Sequence, residues 1–173
     1  GFSFIDEHGR AAARRLISQI RTVDMLVLVV RAFNDASVGA YRDRVDAKAE
    51  LKELLDEILW ADLEQITTRV ERLEKQVNKP TKTQARDKAE LELQKKMQAA
   101  VESGVPLRKV VEGQDVELIS SFGFLTLKPM IVLVNSSESE SDRVFDFGDV
   151  VHKSVPIVTM CAKLEMELSQ LDP

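Results

Sequence analysis

Cysteine is nearly absent: Cys161 is the single thiol in 173 residues. An internal disulfide is therefore excluded, nothing demands an oxidising compartment, and the expected location is the cytoplasm. Aromatic residues make up only 5%. With 44% hydrophobic and 31% charged residues, a chain this poor in rings favours helical packing built from Leu, Val, Glu and Lys. No stretch approaches the ~18 consecutive apolar residues that span a bilayer, so no membrane partner is expected. Gly1-Phe2-Ser3 lacks the basic and apolar regions of a signal peptide. His8 and His152 are isolated imidazoles without the ligand spacing of a metal site. A net charge of -5 argues against a generic nucleic-acid binder, and no DNA partner is expected. The chain also contains no Gly-x-x-x-x-Gly-Lys-[Ser/Thr] run, the loop that cradles triphosphate and magnesium. It begins without Met and stops soon after a short helix, and both ends read as cut.

What is present alternates between apolar runs and long helical periodicities. Arg10 to Arg21 closes an apolar stripe at helical spacing through Ala13, Leu16, Ile17 and Ile20. Met25 to Val30 is a continuous apolar run, which suits a parallel strand covered on both faces. From Asp46 to Val77 the spacing of Leu59, Leu63, Ile66, Val70, Leu73 and Val77 predicts one long helix with a seam. Asn78 to Lys82 breaks it at Pro80, and Thr83 to Val101 resumes it with Ala89, Leu93, Met97 and Ala100 on one side. Two helices so joined form an antiparallel hairpin, an arm roughly 45 Å long at 1.5 Å per residue. Asp115 to Ser121 offers a further short helix. Met130 to Val134 and Ile157 to Met160 are two more strands, separated by a weakly helical Arg143 to Lys153 that Gly148 interrupts. The order implies an α/β fold with a parallel sheet and an inserted helical arm.

Two loops carry the chemistry. Asn135-Ser136-Ser137-Glu138 follows the second strand, and Cys161-Ala162-Lys163 follows the third. Ligands of open parallel sheets bind just outside the carboxyl ends of strands, so both loops lie where a purine nucleotide would be gripped. An Asn amide pairs with adenine N6 and N7, and an acid three residues on faces the same base. A plain polar turn is the commoner use of Asn, Ser and Glu, and Cys161 is equally readable as a small buried residue. No catalytic residue and no metal ligand is singled out. Lys75, Lys79, Lys82, Arg86 and Lys88 gather at the expected hairpin tip, where they suit RNA phosphates or form a solvated helix end, diluted by Glu71, Glu74 and Asp87.

Together these segments resemble the Obg-like ATPases, the YchF subfamily of translation-factor-related P-loop NTPases. Leu16 to Asp24 is similar to the family's Phe-Leu-x-His-Ile-Arg-x-Val-Asp, and Val29-Val30-Arg31-Ala32-Phe33 to its Val-Val-Arg-x-Phe. Ala61-Asp62-Leu63-Glu64 and Arg72-Leu73-Glu74-Lys75 match its helical arm. Thr126-Leu127-Lys128-Pro129 leads to Asn135-x-x-Glu138, and Cys161-Ala162-Lys163 resembles its Ser-Ala-Lys loop. The resemblance implies a partial P-loop NTPase domain: residues 1–38 and 122–173 as nucleotide-binding domain and 39–121 as an antiparallel coiled-coil insertion. Asn135, Ser136 and Glu138 would read the base, with Cys161, Ala162 and Lys163 completing the pocket. Gly1 would be the switch glycine that senses γ-phosphate, placing Phe2 where related GTPases keep a catalytic glutamine. The resemblance implies a ribosome-associated parent that hydrolyses ATP, or GTP, with magnesium, and a fragment inactive alone without the P-loop and the TGS domain. Replacement of the usual Asp by Glu138 favours adenine, because the shorter acid accepts from guanine N1 and N2. Two other readings stand beside this one: a non-enzymatic coiled-coil interaction module and a guanine-specific Obg-type GTPase.

Overall fold

A computed structural model describes residues 16–39 and 44–171. Its elements are strand β1 (Leu26–Ala32), helices α1 (Ala47–Gln76), α2 (Gln84–Glu102) and α3 (Gln114–Ile119), strands β2 (Met130–Ser136) and β3 (Ile157–Met160), and helix α4 (Ala162–Leu168). The sheet runs β1-β2-β3 with both pairs parallel, as the apolar runs predict. Residues 16–20 are helical, which agrees with the end of the Arg10–Arg21 stripe; its earlier part lies outside the described residues. Met25–Leu55 with Pro129–Pro173 forms one compact unit, and Asp56–Lys128 with the segment ending at Asp24 forms a second.

In the first unit, Leu26, Leu28, Val30, Met130, Val132 and Val134 bury one face of the sheet. The expectation of cover on both faces fails: Val27 is 51% and Val29 57% exposed. β-strand side chains alternate sides, so a continuous apolar run cannot say whether both of its faces find cover. The link from β2 to β3 is also a correction. Arg143 to Lys153 forms no helix, only turns and extended chain, because Gly148 takes a left-handed φ of +57° and the Asp146 carboxylate bonds its N–H at 2.8 Å. Phe145 and Phe147 stack at 6.5 Å, and Phe147 is buried. Helix α1 starts where Asp46 Oδ1 accepts the Ala49 N–H at 3.0 Å, an N-cap that satisfies one of the first turn's orphan donors.

In the second unit, Ile66, Val70 and Leu73 of α1 share a core with Leu91, Leu93, Met97 and Val101 of α2, and Leu59, Leu63 and Val77 pack against it. Polar contacts fix the pairing as antiparallel: Gln76 Nε2 reaches Asp87 at 3.1 Å near the turn, and Arg69 holds Glu90 bidentately at 2.6 and 2.8 Å farther from it. Helix α2 ends in a Schellman motif, with Gly104 at φ +75°, its N–H on the Val101 carbonyl at 2.9 Å and the Val105 N–H on that of Ala100 at 2.9 Å. The face of α2 differs from the expected one: Ala89 is exposed and Ala100 half-buried, while Asp87, Glu90 and Gln94 are buried. Helical spacing read from apolar residues alone rotates the stripe away from polar groups that tertiary bonds pull inside.

Gln94 is the exception among those polar groups. It is fully buried, and neither of its amide atoms finds a hydrogen-bond partner. An unsatisfied buried amide costs about 1–3 kcal/mol. Gln94→Leu is therefore expected to raise the stability of the helical unit by about that amount, read as a higher urea midpoint by circular dichroism; a lowered midpoint would show that the amide is satisfied in solution.

Asp62 organises the chain around it. Its side chain is wholly buried. Oδ1 accepts Arg21 Nη1 at 2.9 Å and the Leu125 N–H at 3.0 Å. Oδ2 accepts the Thr126 N–H at 2.8 Å and the Thr126 hydroxyl at 2.9 Å. That hydroxyl in turn accepts the Leu107 N–H at 3.2 Å, and Arg21 also donates to the Ala61 and Gly123 carbonyls. Gly123 has φ +60°, and a Cβ there would lie 2.7 Å from the Arg21 carbonyl oxygen, so no other residue fits. One carboxylate thus joins α1 to the segment leading into β2.

Candidate nucleotide site at the carboxyl edge of the sheet

Parallel register brings the three strand ends level. Arg31 of β1 pairs with Asn135 of β2, which pairs with Met160 of β3. The loops that follow therefore leave the sheet side by side, at the edge where open α/β sheets place ligands. Asn135 Oδ1 accepts the Ala162 N–H at 3.1 Å. A second bond ties the same loops, since Ser136 Oγ donates to the Met160 carbonyl at 3.3 Å. The two loops singled out in the sequence are adjacent and directly bonded.

The six residues expected to touch a base are not equivalent. Asn135 is half-buried and keeps its Nδ2 donor and one Oδ1 lone pair beyond the bond to Ala162. Ser136 is 2% exposed, so its hydroxyl serves the β2–β3 junction. Glu138 is exposed and opens a single 3₁₀ turn, Glu138–Glu140, whose carbonyl accepts the Ser141 hydroxyl at 2.9 Å. Cys161 is buried at 6% and sits just before α4; Ala162 and Lys163 are exposed. Lys163 Nζ lies 4.0 Å from Glu167. Gly1, expected to sense γ-phosphate, lies outside the described residues. His152 hydrogen-bonds Ser154 at 2.7 Å.

Sequence reasoning missed the third wall. After β1, the Arg31 guanidinium lies 4.6 Å from the Phe33 ring centroid, in cation–π range. Its Nε donates to the Phe33 carbonyl at 2.8 Å and Nη1 to those of Val38 and Gly39 at 3.0 and 3.2 Å. One side chain therefore shapes the loop from residue 33 to residue 39. Within it, Asp35 Oδ1 accepts both the hydroxyl and the N–H of Ser37 at 2.6 and 2.8 Å. Those bonds, helped by Arg31 and by Lys163, hold the Asp35 carboxyl below its usual pKa. The signal was legible: the rule applied to the ends of β2 and β3 applies equally to the end of β1. Among the described residues, no three His, Cys, Asp or Glu side chains gather as metal ligands.

No family model matches the chain. Curated proteins do. It is 28% identical over 173 residues to the ribosome-binding ATPase YchF of Bacillus subtilis, covering 95% of this chain and 46% of that protein. It is 33% identical over 136 residues to Obg-like ATPase 1 of rice, covering 78% of this chain and 34% of that protein. The solved structure of the Schizosaccharomyces pombe YchF GTPase superposes with a TM-score of 0.76 at 28% identity, over 90% of this chain and 44% of that one. The chain is related to the YchF and Obg-like ATPases. It spans about half the length of the YchF proteins it matches, and its mixed α/β architecture corresponds to a partial domain of the YchF fold. Among the described residues no helix is long and apolar enough to cross a membrane.

Proposed function

We propose that this chain supplies the base-recognition half of the nucleotide-binding domain of a cytoplasmic, ribosome-associated Obg-like ATPase, with residues 39–121 as its inserted helical arm. The observation that carries the reading is the bond from the Ala162 N–H to Asn135 Oδ1, which holds the second and third loops against each other at the carboxyl edge of the sheet. Asn135 presents its remaining amide donor to the purine, and Glu138 reaches the Watson–Crick edge. Cys161 and Ser136, both buried, set the backbone on which Ala162 and Lys163 meet the ring. Gly1 is assigned to the γ-phosphate switch. The names of the relatives divide between ATPase and GTPase. Adenine is proposed here because Glu138 is a methylene longer than the aspartate that accepts guanine N1 and N2, and mismatched donors left unpaired in a buried site are what reject a base.

Hydrolysis belongs to the complete enzyme. Phosphoryl transfer rests on positioning and on charge stabilisation by a P-loop and magnesium, and this chain holds no Gly-x-x-x-x-Gly-Lys-[Ser/Thr] segment.

Titration of the ¹⁵N-labelled chain with adenosine, ATP, guanosine and GTP tests the reading. Amide shifts at residues 135–138 and 161–163 are expected to saturate at lower concentrations with adenine than with guanine compounds. Glu138→Asp is expected to narrow that preference by about tenfold, about 1.4 kcal/mol. Shifts absent with every purine would sink the nucleotide reading and leave the helical interaction module.

A further inference from the structure

Among the described residues β1 is an edge strand, since the order β1-β2-β3 leaves one of its sides without a neighbour. The parallel register fixes which backbone groups line that side. The Leu26 N–H bonds the Pro129 carbonyl at 2.9 Å, and successive residues of a strand turn their N–H groups to alternate sides. Leu26, Leu28, Val30 and Ala32 therefore serve β2, while Met25, Val27, Val29 and Arg31 point outward. Arg31 agrees with that phase: its N–H donates to Glu50 Oε2, on α1, at 3.3 Å. The Glu50 carboxylate thus closes one end of the edge, and its Oε1 is buried without a hydrogen-bond partner. Short of that point, the exposed Val27 and Val29 leave their N–H and C=O groups facing no strand.

Sheet edges are defended by proline, lysine, bulges or shortness. β1 has none of these devices. It runs seven residues, Leu-Val-Leu-Val-Val-Arg-Ala, and its one charged side chain, Arg31, is turned to the carbonyls of the loop that follows. The strand is also complementary to itself. A two-fold axis at Leu28 pairs two copies antiparallel, with Val27 of each opposite Val29 of the other. Both are outward residues, so each pair exchanges both of its N–H···O bonds. Leu28 then meets Leu28 and Leu26 meets Val30 on the buried face, while the valines meet on the open one, so the alternation of sides continues across the seam. Charge fits the same arrangement. The basic end at Arg31 comes to the start of the partner strand, which Asp24 precedes, whereas a parallel approach would set arginine beside arginine. The partner's Met25 N–H arrives beside Arg31, where Glu50 Oε1 lacks a donor.

We propose that this chain self-associates through the free edge of β1, two copies joining antiparallel about a two-fold axis at Leu28 so that their three-stranded sheets become one. A single strip of paired strand falls short of the ~1,000 Å² that marks a durable interface, so the dimer forms only as concentration rises. It requires neither nucleotide nor any residue of the base-binding loops.

Sedimentation velocity of the 173-residue chain from low to high micromolar concentration is expected to show the mass climbing from 19.4 kDa toward twice that value. Val27→Pro deletes an outward N–H that β2 does not use, a position where edge strands accept proline. Val29→Lys adds the charge that natural edges carry. Both variants are expected to stay at the mass of one chain throughout, with unchanged far-UV circular dichroism. Val158 lies on the same open face but on β3, level with Val29 through Leu133, and Val158→Lys should associate like the unaltered chain. Hydrogen exchange supplies a second readout: the Val27 and Val29 amides are expected to slow at least tenfold on concentration, and only in chains that associate. A constant single-chain mass, or association undiminished in both Val27→Pro and Val29→Lys, would overturn the proposal. Loss of association in Val158→Lys would place the contact on the open face instead of the edge. Val27 and Val29 amides already protected in a monomer would show that another segment of the same chain pairs with β1, and would equally overturn it.

Discussion

Asp62→Ala is expected to destabilise the protein by about 3–5 kcal/mol, the usual consequence of removing one member of a buried ionic network. The loss comprises four hydrogen bonds that Asp62 accepts from Arg21, Leu125 and Thr126. Two of the donors are backbone N–H groups in buried contacts, which lose their acceptor when the carboxylate is removed. Asp62→Asn keeps the shape, but its Nδ2 turns a donor toward donors, so most of the loss should persist. Thr126→Val removes only the hydroxyl that bridges Asp62 and the Leu107 N–H, and about 1–2 kcal/mol is expected. Urea denaturation followed by circular dichroism measures all three. A midpoint for Asp62→Ala within the range of a surface substitution, about 0.5 kcal/mol, would show that the network carries little of the stability.

Asn135→Ala is expected to leave the fold intact and to weaken adenine binding by about tenfold, the worth of one hydrogen bond to the base at about 1.4 kcal/mol. Two effects combine. The base loses a donor, and the loop after β3 loses its tether to β2 through the Ala162 N–H. Ala162 is exposed, so water replaces the tether at small cost in stability, and the thermal midpoint should move little. Ser136→Ala separates the two contributions, because its hydroxyl bonds only the Met160 carbonyl and makes no base contact in the proposed arrangement. A modest loss of affinity is expected there, read in the same nucleotide titration. If Asn135→Ala binds ATP as tightly as the unaltered chain, the purine slot lies elsewhere.

Much of the α/β order was legible because each signal is local. The β3 strand at Ile157–Met160 stands as read, and the ends of α1, at Asp46 and before Pro80, follow from a cap and a ring that cannot continue a helix. Errors arose where local pattern needed a distant partner. Gly148 weakens a helix in either reading, yet only the Asp146 bond and the buried Phe147 decide that Arg143–Lys153 becomes turns. The apolar stripe assigned to α2 overlooked Gln94, whose amide is buried without a partner against any rule of polarity. In the candidate site, Asn135, Glu138 and Cys161–Lys163 announced themselves as polar residues after apolar strands. Arg31 and Asp35 follow the apolar run of β1 in the same way, and the register that sets Arg31 beside Asn135 makes their place plain.

The sequence by itself determined the alternation of strands and long helices, the hairpin and its breakpoint, and the identity of two polar loops, because periodicity, capping and ring constraints act over a few residues. Tertiary structure alone decided that Asp62 binds segments 41 and 64 residues away, that one face of the sheet stays open at Val27 and Val29, and that Asp87, Glu90 and Gln94 of α2 are buried. Those outcomes are set by which charges and apolar surfaces meet across long stretches of chain, and such meetings are settled by burial and hydrogen-bond satisfaction rather than by neighbours in sequence.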